Sequence, residues 1–373
     1  MIGQQMSLTG IQKQYGSAWA VRGIDLDVSK GEFLSIVGPS GSGKTSLLNI
    51  IAGFEMPSAG QILIGGERVT QLPPNKRQIG MVFQKYALFP HLTVRQNVAF
   101  PLEMRTKLSR SQRERQVCDM LDLVQLGDFG ERLPGQLSGG QQQRVAVARA
   151  LVFNPPVILM DEPLGALDKK LRENMQLEIK RIQERIGATV IYVTHDQEEA
   201  LTMSDRVAVM QEGRVEQIDT PEGLYRNPIS SFVADFIGTM NFLPAVKIGE
   251  KAGTAVLRIA EHTVINVPIN GRNPCLSIQN TDNALSLAFR PENVSLEQAG
   301  SAESSLIQGE IDADIFMGST HTYVVRLNNS SKTLIRVQSA ANTSFTFKRG
   351  DRVSLRLNSE AVHAFSPHKR DAA

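Results

Sequence analysis

The chain of 373 residues carries 40 Lys and Arg against 38 Asp and Glu, a net charge of +2, and so even a balance speaks against a nucleic-acid groove; no nucleic-acid partner is expected. Hydrophobic residues make up 41% and charged residues 21%, which excludes a disordered chain and, at this length, suggests two or three domains with packed cores. The two cysteines, Cys118 and Cys275, stand far apart without CxxC or Cys/His spacing, so neither a disulfide framework nor a zinc site is indicated and a reduced, cytosolic chain is expected.

Met1 to Tyr15 is polar and contains no apolar core of a signal peptide. No later stretch approaches the ~18 consecutive apolar residues of a membrane span, so any membrane role requires a partner chain. From about Met6 to Phe236 short apolar runs alternate with amphipathic segments, the pattern of buried parallel strands separated by helices. The first such run, Phe33 to Val37, leads into Gly38-Pro39-Ser40-Gly41-Ser42-Gly43-Lys44-Thr45 and a helical run from Ser46 to Ala52. That is a complete GxxxxGK[ST] loop in the strand-to-helix setting it requires. Its glycines let consecutive backbone N–H groups point inward, at the positive end of the following helix, where nucleotide phosphates fit. Lys44 reaches the β- and γ-phosphates as a point charge, and Thr45 offers a hydroxyl to Mg²⁺.

The run Ile79 to Phe83 ends at Gln84. Beyond it, Ser111 to Val124 carries Val117, Leu121 and Val124 at helical spacing, which predicts an inserted helical subdomain over about 88–150. Leu137-Ser138-Gly139-Gly140-Gln141 opens another helix, and a serine with two glycines at a helix start makes a second anion cradle. One nucleotide does not need two cradles from one chain, so this second one is expected to close over the nucleotide of another subunit. Val157 to Met160 ends in Asp161 and Glu162. Beside a phosphate loop, Asp161 is placed to hold Mg²⁺ and Glu162, on the other side of the strand end, to polarise a water for hydrolysis.

Asp168 to Ile186 sets Leu171, Met175, Ile179, Ile182 and Ile186 at spacings of three and four, a core-facing helix. Strands follow at Thr189 to Val193, before His195, and at Arg206 to Met210. After about Met240 the runs become short and β-branched, as at Thr263 to Val267, Thr322 to Leu327 and Arg352 to Leu357. A separate all-β domain of small-barrel type is expected there, with Pro244, Asn270-Gly271 and Lys348 to Asp351 marking turns or linkers.

The phosphate loop, Gln84, Leu137 to Gln141, Asp161-Glu162, Gly165-Ala166-Leu167-Asp168 and His195 occur in the order found in ABC-transporter ATPase subunits. The chain resembles that family over essentially its whole length. The resemblance implies an α/β P-loop ATPase core with an inserted helical subdomain at 1–240, followed by a C-terminal all-β OB-like (TOBE) domain at 241–373. It implies that Tyr15 stacks on adenine, with Trp19 close enough to rival it, and that residues 38–46, through Ser46, bind ATP. Thr45, Gln84 and Asp161 would hold Mg²⁺, with Gln84 also linking the site to the membrane partner. Glu162 becomes the general base and His195 the γ-phosphate contact. Ser138, Gly139, Gly140 and Gln141 reach ATP on the second subunit, and Asp168 couples the two sites.

A β-domain of this size after the ATPase core resembles the extension of importer subunits that work with a binding protein. The resemblance therefore implies a homodimer of ATPase subunits at the cytoplasmic face of the inner membrane, joined to two integral-membrane permease subunits and a periplasmic or extracellular substrate-binding protein. Lys85 to Phe100 presents the apolar side chains expected to dock a permease helix. Val193 to Arg206 and Phe232 to Gly238 are most similar to the ATPases of polyamine (spermidine/putrescine) importers, though iron(III), sulfate and sugar importers share much of this wording, including Phe289-Arg290-Pro291-Glu292. A soluble, non-transport ABC ATPase is a remoter alternative.

Overall fold

In the computed structural model, residues 3–367 are described apart from 166, 260–262, 271–272, 278–283, 300–305, 329–332 and 342–345. The chain divides into two units, Met1–Leu224 and Tyr225–Ala373. In chain order the first holds β1 (Met6–Tyr15), β2 (Ala18–Val28), β3 (Phe33–Val37), α1 (Lys44–Ala52), β4 (Ala59–Ile64), β5 (Glu67–Arg68), β6 (Ile79–Val82), α2 (Val94–Arg105), α3 (Arg110–Leu123), α4 (Gly139–Leu151), β7 (Val157–Asp161), α5 (Lys169–Ile186), β8 (Thr189–Val193), α6 (Gln197–Met203), β9 (Arg206–Gln211) and β10 (Arg214–Asp219).

The continuous apolar runs become the middle of a six-stranded sheet ordered β10-β9-β3-β8-β7-β6. β9, β3, β8, β7 and β6 run parallel and β10 closes the edge antiparallel. Alternate side chains along each strand point to opposite faces. Leu34, Ile36, Leu159 and Ile191 join Leu47 and Ile50 of α1 in one cluster. Phe33, Ile158, Met160 and Tyr192 join Val145 of α4 and Ile179 of α5 in another. So α1 lies on one face of the sheet and α4 and α5 on the other. The amino-terminal segment, whose polar, bulged strands give no continuous apolar run, forms a second, antiparallel sheet ordered β2-β1-β4-β5.

The three helices of the inserted region start on one device. Thr93, Ser109 and Ser138 each accept from the backbone N–H three residues on, and Gln96, Gln112 and Gln141 each return a side-chain bond to the cap backbone. These are capping boxes, each worth on the order of 1 kcal/mol to its helix.

The second unit begins within α7 (Pro221–Arg226) and continues through α8 (Ser231–Phe236) to β11 (Asn241–Lys251), β12 (Thr254–Arg258), β13 (Val264–Pro268), β14 (Ala284–Phe289), β15 (Val294–Gln298), β16 (Ile307–Phe316), β17 (Thr320–Leu327), β18 (Leu334–Ala340), β19 (Arg352–Leu357) and β20 (His363–Phe365). The expected division after residue 240 differs from this one, and Arg290 supplies the reason. Its guanidinium donates to the carbonyls of Ala234, Thr239 and Tyr225 and lies 4.1 Å over the Tyr225 ring. Residues 225–240 are thereby held to β14. Two five-stranded antiparallel sheets, β13-β12-β11-β14-β20 and β15-β19-β16-β17-β18, share one core through residues such as Leu257, Leu287, Tyr323 and Leu355.

Pro244 marks neither a turn nor a linker. It sits inside β11 opposite Ser286 of β14, and is tolerated because pairing with β12 starts only at Val246. The Lys348 to Asp351 turn is present, closed by Asp351 N donating to Lys348 O. Gly271 and Ala166 of the expected motifs lie outside the described residues. Among the described residues no helix is long and apolar enough to cross a membrane.

Candidate active site

The loop between β3 and α1 has the shape its glycines allow. Gly43 has φ 98°, and a Cβ there would sit 2.2 Å from the Ala20 carbonyl; one at Gly38 would sit 2.2 Å from that of Met210. No residue with a side chain fits either place without moving backbone. Lys44 is buried, and its ammonium donates to the carbonyls of Gly38 at 2.8 Å and Pro39 at 3.0 Å. Burial pushes its pKa below the ordinary value, against the opposing pull of Glu162 and Asp161. Thr45, next along, is exposed. The buried Ser42 hydroxyl has no hydrogen-bond partner among the described residues. A buried amine satisfied only by carbonyls, an unpartnered hydroxyl and a rim of backbone N–H groups suit the oxygens of a polyphosphate.

The carboxylates expected beside the loop are there. Asp161 ends β7 opposite Val193. Its pKa is raised by burial first and by Glu162 second, with Lys44 opposing. Glu162 has φ 43°, a strained backbone for a residue other than glycine. Its Oε2 accepts from Gln84 Nε2 at 2.9 Å, and its Oε1 lies 3.2 Å from His195 Nδ1. Three strand ends, β6, β7 and β8, thus bring Gln84, Glu162 and His195 together. Among the described residues no cluster of three or more His, Cys, Asp or Glu could hold a metal alone. A partial set such as Thr45, Gln84 and Asp161 fits Mg²⁺, which completes its shell with phosphate oxygens and water.

Tyr15 is hydrogen-bonded to Glu55 and lies within hydrogen-bonding reach of Ser46, in the first turn of α1. Lys13 Nζ sits 5.0 Å from the centre of its ring. Trp19 instead lines a separate concavity of about 310 Å³ with Gln12, Arg22 and Arg214. Tyr15 thus reaches the first turn of α1 beyond the phosphate loop, while Trp19 precedes Ala20, whose carbonyl faces Gly43.

Ser138 and Gly139 are exposed at the start of α4, and Gly140 is buried against Leu171. The Ser138 hydroxyl accepts from Gln141 N at 3.3 Å. This helix start, the expected second cradle, lies on the opposite sheet face from α1. Asp168 caps α5 by accepting from Leu171 N at 3.0 Å and is exposed.

Behind His195 lies a network that sequence reading passed over. Glu199 is buried and accepts from the hydroxyls of Tyr192 and Thr194, each at 2.7 Å. Arg172 of α5 donates to Asp196 at 2.8 Å and approaches Glu199 to 3.7 Å. The available signal was the spacing of Glu199, Ala200 and Met203, which puts a carboxylate on the buried stripe of α6.

A phosphate loop, an adjacent Asp-Glu pair at a strand end and a serine-glycine helix start on one mostly parallel sheet define a P-loop ATPase of the ABC class. The ABC transporter family profile matches residues 21–165 and the TOBE domain profile residues 287–365. The chain is 45% identical over 359 residues to the spermidine/putrescine import ATP-binding protein PotA of Thermobifida fusca, covering 94% of this chain and 90% of that protein. It is 45% identical over 343 residues to PotA of Ruegeria pomeroyi, covering 92% and 90%. Among solved structures, the dimeric ABC transporter cassette MJ0796 aligns with a TM-score of 0.53 and 38% identity, over 58% of this chain and 98% of that one. The same cassette bound to ADP and Pi aligns with a TM-score of 0.52 and 37% identity, over the same shares. The chain belongs to the ABC transporter family of import ATP-binding subunits.

Proposed function

We propose that this chain is the ATP-hydrolysing subunit of a polyamine importer, taking up spermidine or putrescine. The observation that carries the cargo is the similarity to import ATP-binding proteins of that name along more than nine-tenths of the chain. Two copies associate head to tail over two nucleotides, each held between one copy's 38–46 loop and the other's Ser138 to Gln141. The dimer sits at the cytoplasmic face of the inner membrane, with two permease subunits and a periplasmic or extracellular substrate-binding protein.

In this reading Lys44 and the loop N–H groups hold the β- and γ-phosphates, and Tyr15 stacks on adenine. Mg²⁺, when bound through Thr45, Asp161 and Gln84, offsets the phosphate charge. Glu162 accepts a proton from the attacking water while Gln84 and His195 orient its carboxylate and the terminal phosphate. Asp168 couples the two sites. Hydrolysis removes the γ-phosphate contacts that hold the cradles together, so the dimer opens.

A groove of about 450 Å³ lies beside the Gln84 segment, lined by Phe54, Met81, Phe83, Phe89, Phe100 and Met104 among others. Phe54 and Met104 are exposed. An apolar groove of this kind accepts an amphipathic helix, and a permease segment is the occupant proposed.

The test is uptake of labelled spermidine and putrescine in cells lacking the chain, rescued by the parent sequence or by Lys44→Ala. Rescue by the parent alone is expected. Uptake independent of the chain would move the cargo to iron, sulfate or sugar while leaving the ATPase in place.

A further inference from the structure

Two residues beyond Gln84 the backbone takes a shape that side chains disfavour. Tyr86 has φ 57° and Ala87 φ 47°, consecutive left-handed positions in which each Cβ crowds the following carbonyl. Local bonds shape the turn, with Tyr86 N donating to Phe83 O at 2.9 Å and Ala87 N to Lys85 O at 2.6 Å. The carbonyls of the two strained residues both face one guanidinium from another element. Arg149, in the last turn of α4, donates through Nη2 to Tyr86 O at 2.8 Å and through Nη1 to Ala87 O at 2.7 Å. A planar fork that spans two successive carbonyls specifies their direction as a lysine head cannot.

The two ends of this clamp matter. α4 starts at Ser138, in the second cradle, and the clamped turn follows Gln84, whose amide holds Glu162 at 2.9 Å. One side chain therefore ties the helix of one cradle to the arm that reaches the other cradle's base. The same guanidinium lies 5.6 Å over the Phe89 ring and lines the apolar groove.

We propose that Arg149 is a positioning residue for ATP turnover: it holds the Tyr86–Ala87 turn in its strained form and so keeps Gln84 against Glu162. The proposal rests on the reading of Glu162 and Gln84 given above. Without the clamp the turn relaxes toward ordinary backbone and Gln84 is carried off the carboxylate. The nucleotide contacts of the phosphate loop and Tyr15 lie outside the clamp and stay in place. The turn therefore affects kcat and leaves KM for ATP alone.

The experiment measures ATP hydrolysis by the full chain in the parent, Arg149→Ala, Arg149→Lys, Arg149→Ala with Ala87→Gly, and Glu162→Gln. In Arg149→Ala, kcat should fall roughly tenfold, as expected for a misplaced positioning group, with KM for ATP within about twofold of the parent. Lysine should be intermediate. Glycine at 87 adopts the left-handed shape without strain and should restore part of the lost kcat. Parent-like kcat in a folded Arg149→Ala, an equal loss in KM, or no recovery with Ala87→Gly overturns the clamp. If Arg149→Ala does not fold, Arg149→Lys decides alone: lowered kcat at constant KM supports the clamp, and parent-like kcat overturns it. A fully active Glu162→Gln removes the site reading itself, whereas an inactive Glu162→Gln with an unaffected Arg149→Ala removes only the clamp.

Discussion

His195 Nδ1 lies 3.2 Å from Glu162 Oε1, although the two residues come from different strand ends and the Glu162 carboxylate is already engaged by Gln84 on its other oxygen. Glu162 N also donates to Val193 O at 2.9 Å, which continues the β7–β8 pairing one residue past the strand. The carboxylate is thus held on both oxygens and at its backbone, the orientation that the proposed general base needs.

Glu162→Gln keeps the size and the Gln84 neighbour but removes the proposed base. MgATP binding is expected to persist while turnover falls by about a hundredfold or more. ATP should then accumulate a dimer visible by size exclusion. A monomer alone under those conditions would remove the two-cradle arrangement.

Arg77 tests stability rather than catalysis. It is 2% exposed and faces carbonyls only, donating to Leu72, Ile50, Ile51 and Thr70 at 2.7 to 2.8 Å. Ile50 and Ile51 lie in the last turn of α1, whose carbonyls form the negative end of the helix. Arg77→Met fills similar volume yet leaves the carbonyls of Leu72, Ile51 and Thr70 without this donor, Ile50 O keeping only Gly53 N at 3.2 Å, a loss of roughly 3 kcal/mol or more. Chemical denaturation should show it as a lowered midpoint, and an unchanged midpoint would mean that water replaces the guanidinium.

Glu199 gives a pH dependence. Burial holds its carboxyl above the usual carboxylate range, against hydrogen bonds from Tyr192 and Thr194. A carboxyl whose folded pKa exceeds its unfolded one contributes stability that is complete below the unfolded value and is lost as pH rises through the folded one. Glu199→Gln keeps an acceptor for both hydroxyls and cannot ionise. Melting temperatures taken from about pH 4 to about pH 8 should show the variant gaining on the parent as pH rises. A flat difference would show that the hydrogen bonds from Tyr192 and Thr194, with Arg172, balance desolvation, and one that favours the parent more at high pH that they outweigh it.

What could be read along the chain was local. The GxxxxGK[ST] loop, the Ser138 cradle and the Asp161-Glu162 strand end each lie within a few successive residues, where backbone geometry and residue type are enough. The buried strands were legible because strands covered on both faces lose their polar alternation. Only the tertiary structure placed Gln84, Glu162 and His195 on one point, set α1 and α4 on opposite faces, and gave residues 225–240 to the second unit through Arg290. It alone showed Arg149 on Tyr86 and Ala87, Arg77 on the end of α1, and Glu199 behind His195. Apart from Glu199, which reaches partners five and seven residues away, these bonds join groups tens of residues apart. A hydrogen-bonding side chain carries no mark of its distant partner. The sheet order and the packing of the helices decide which carbonyl or carboxylate it meets.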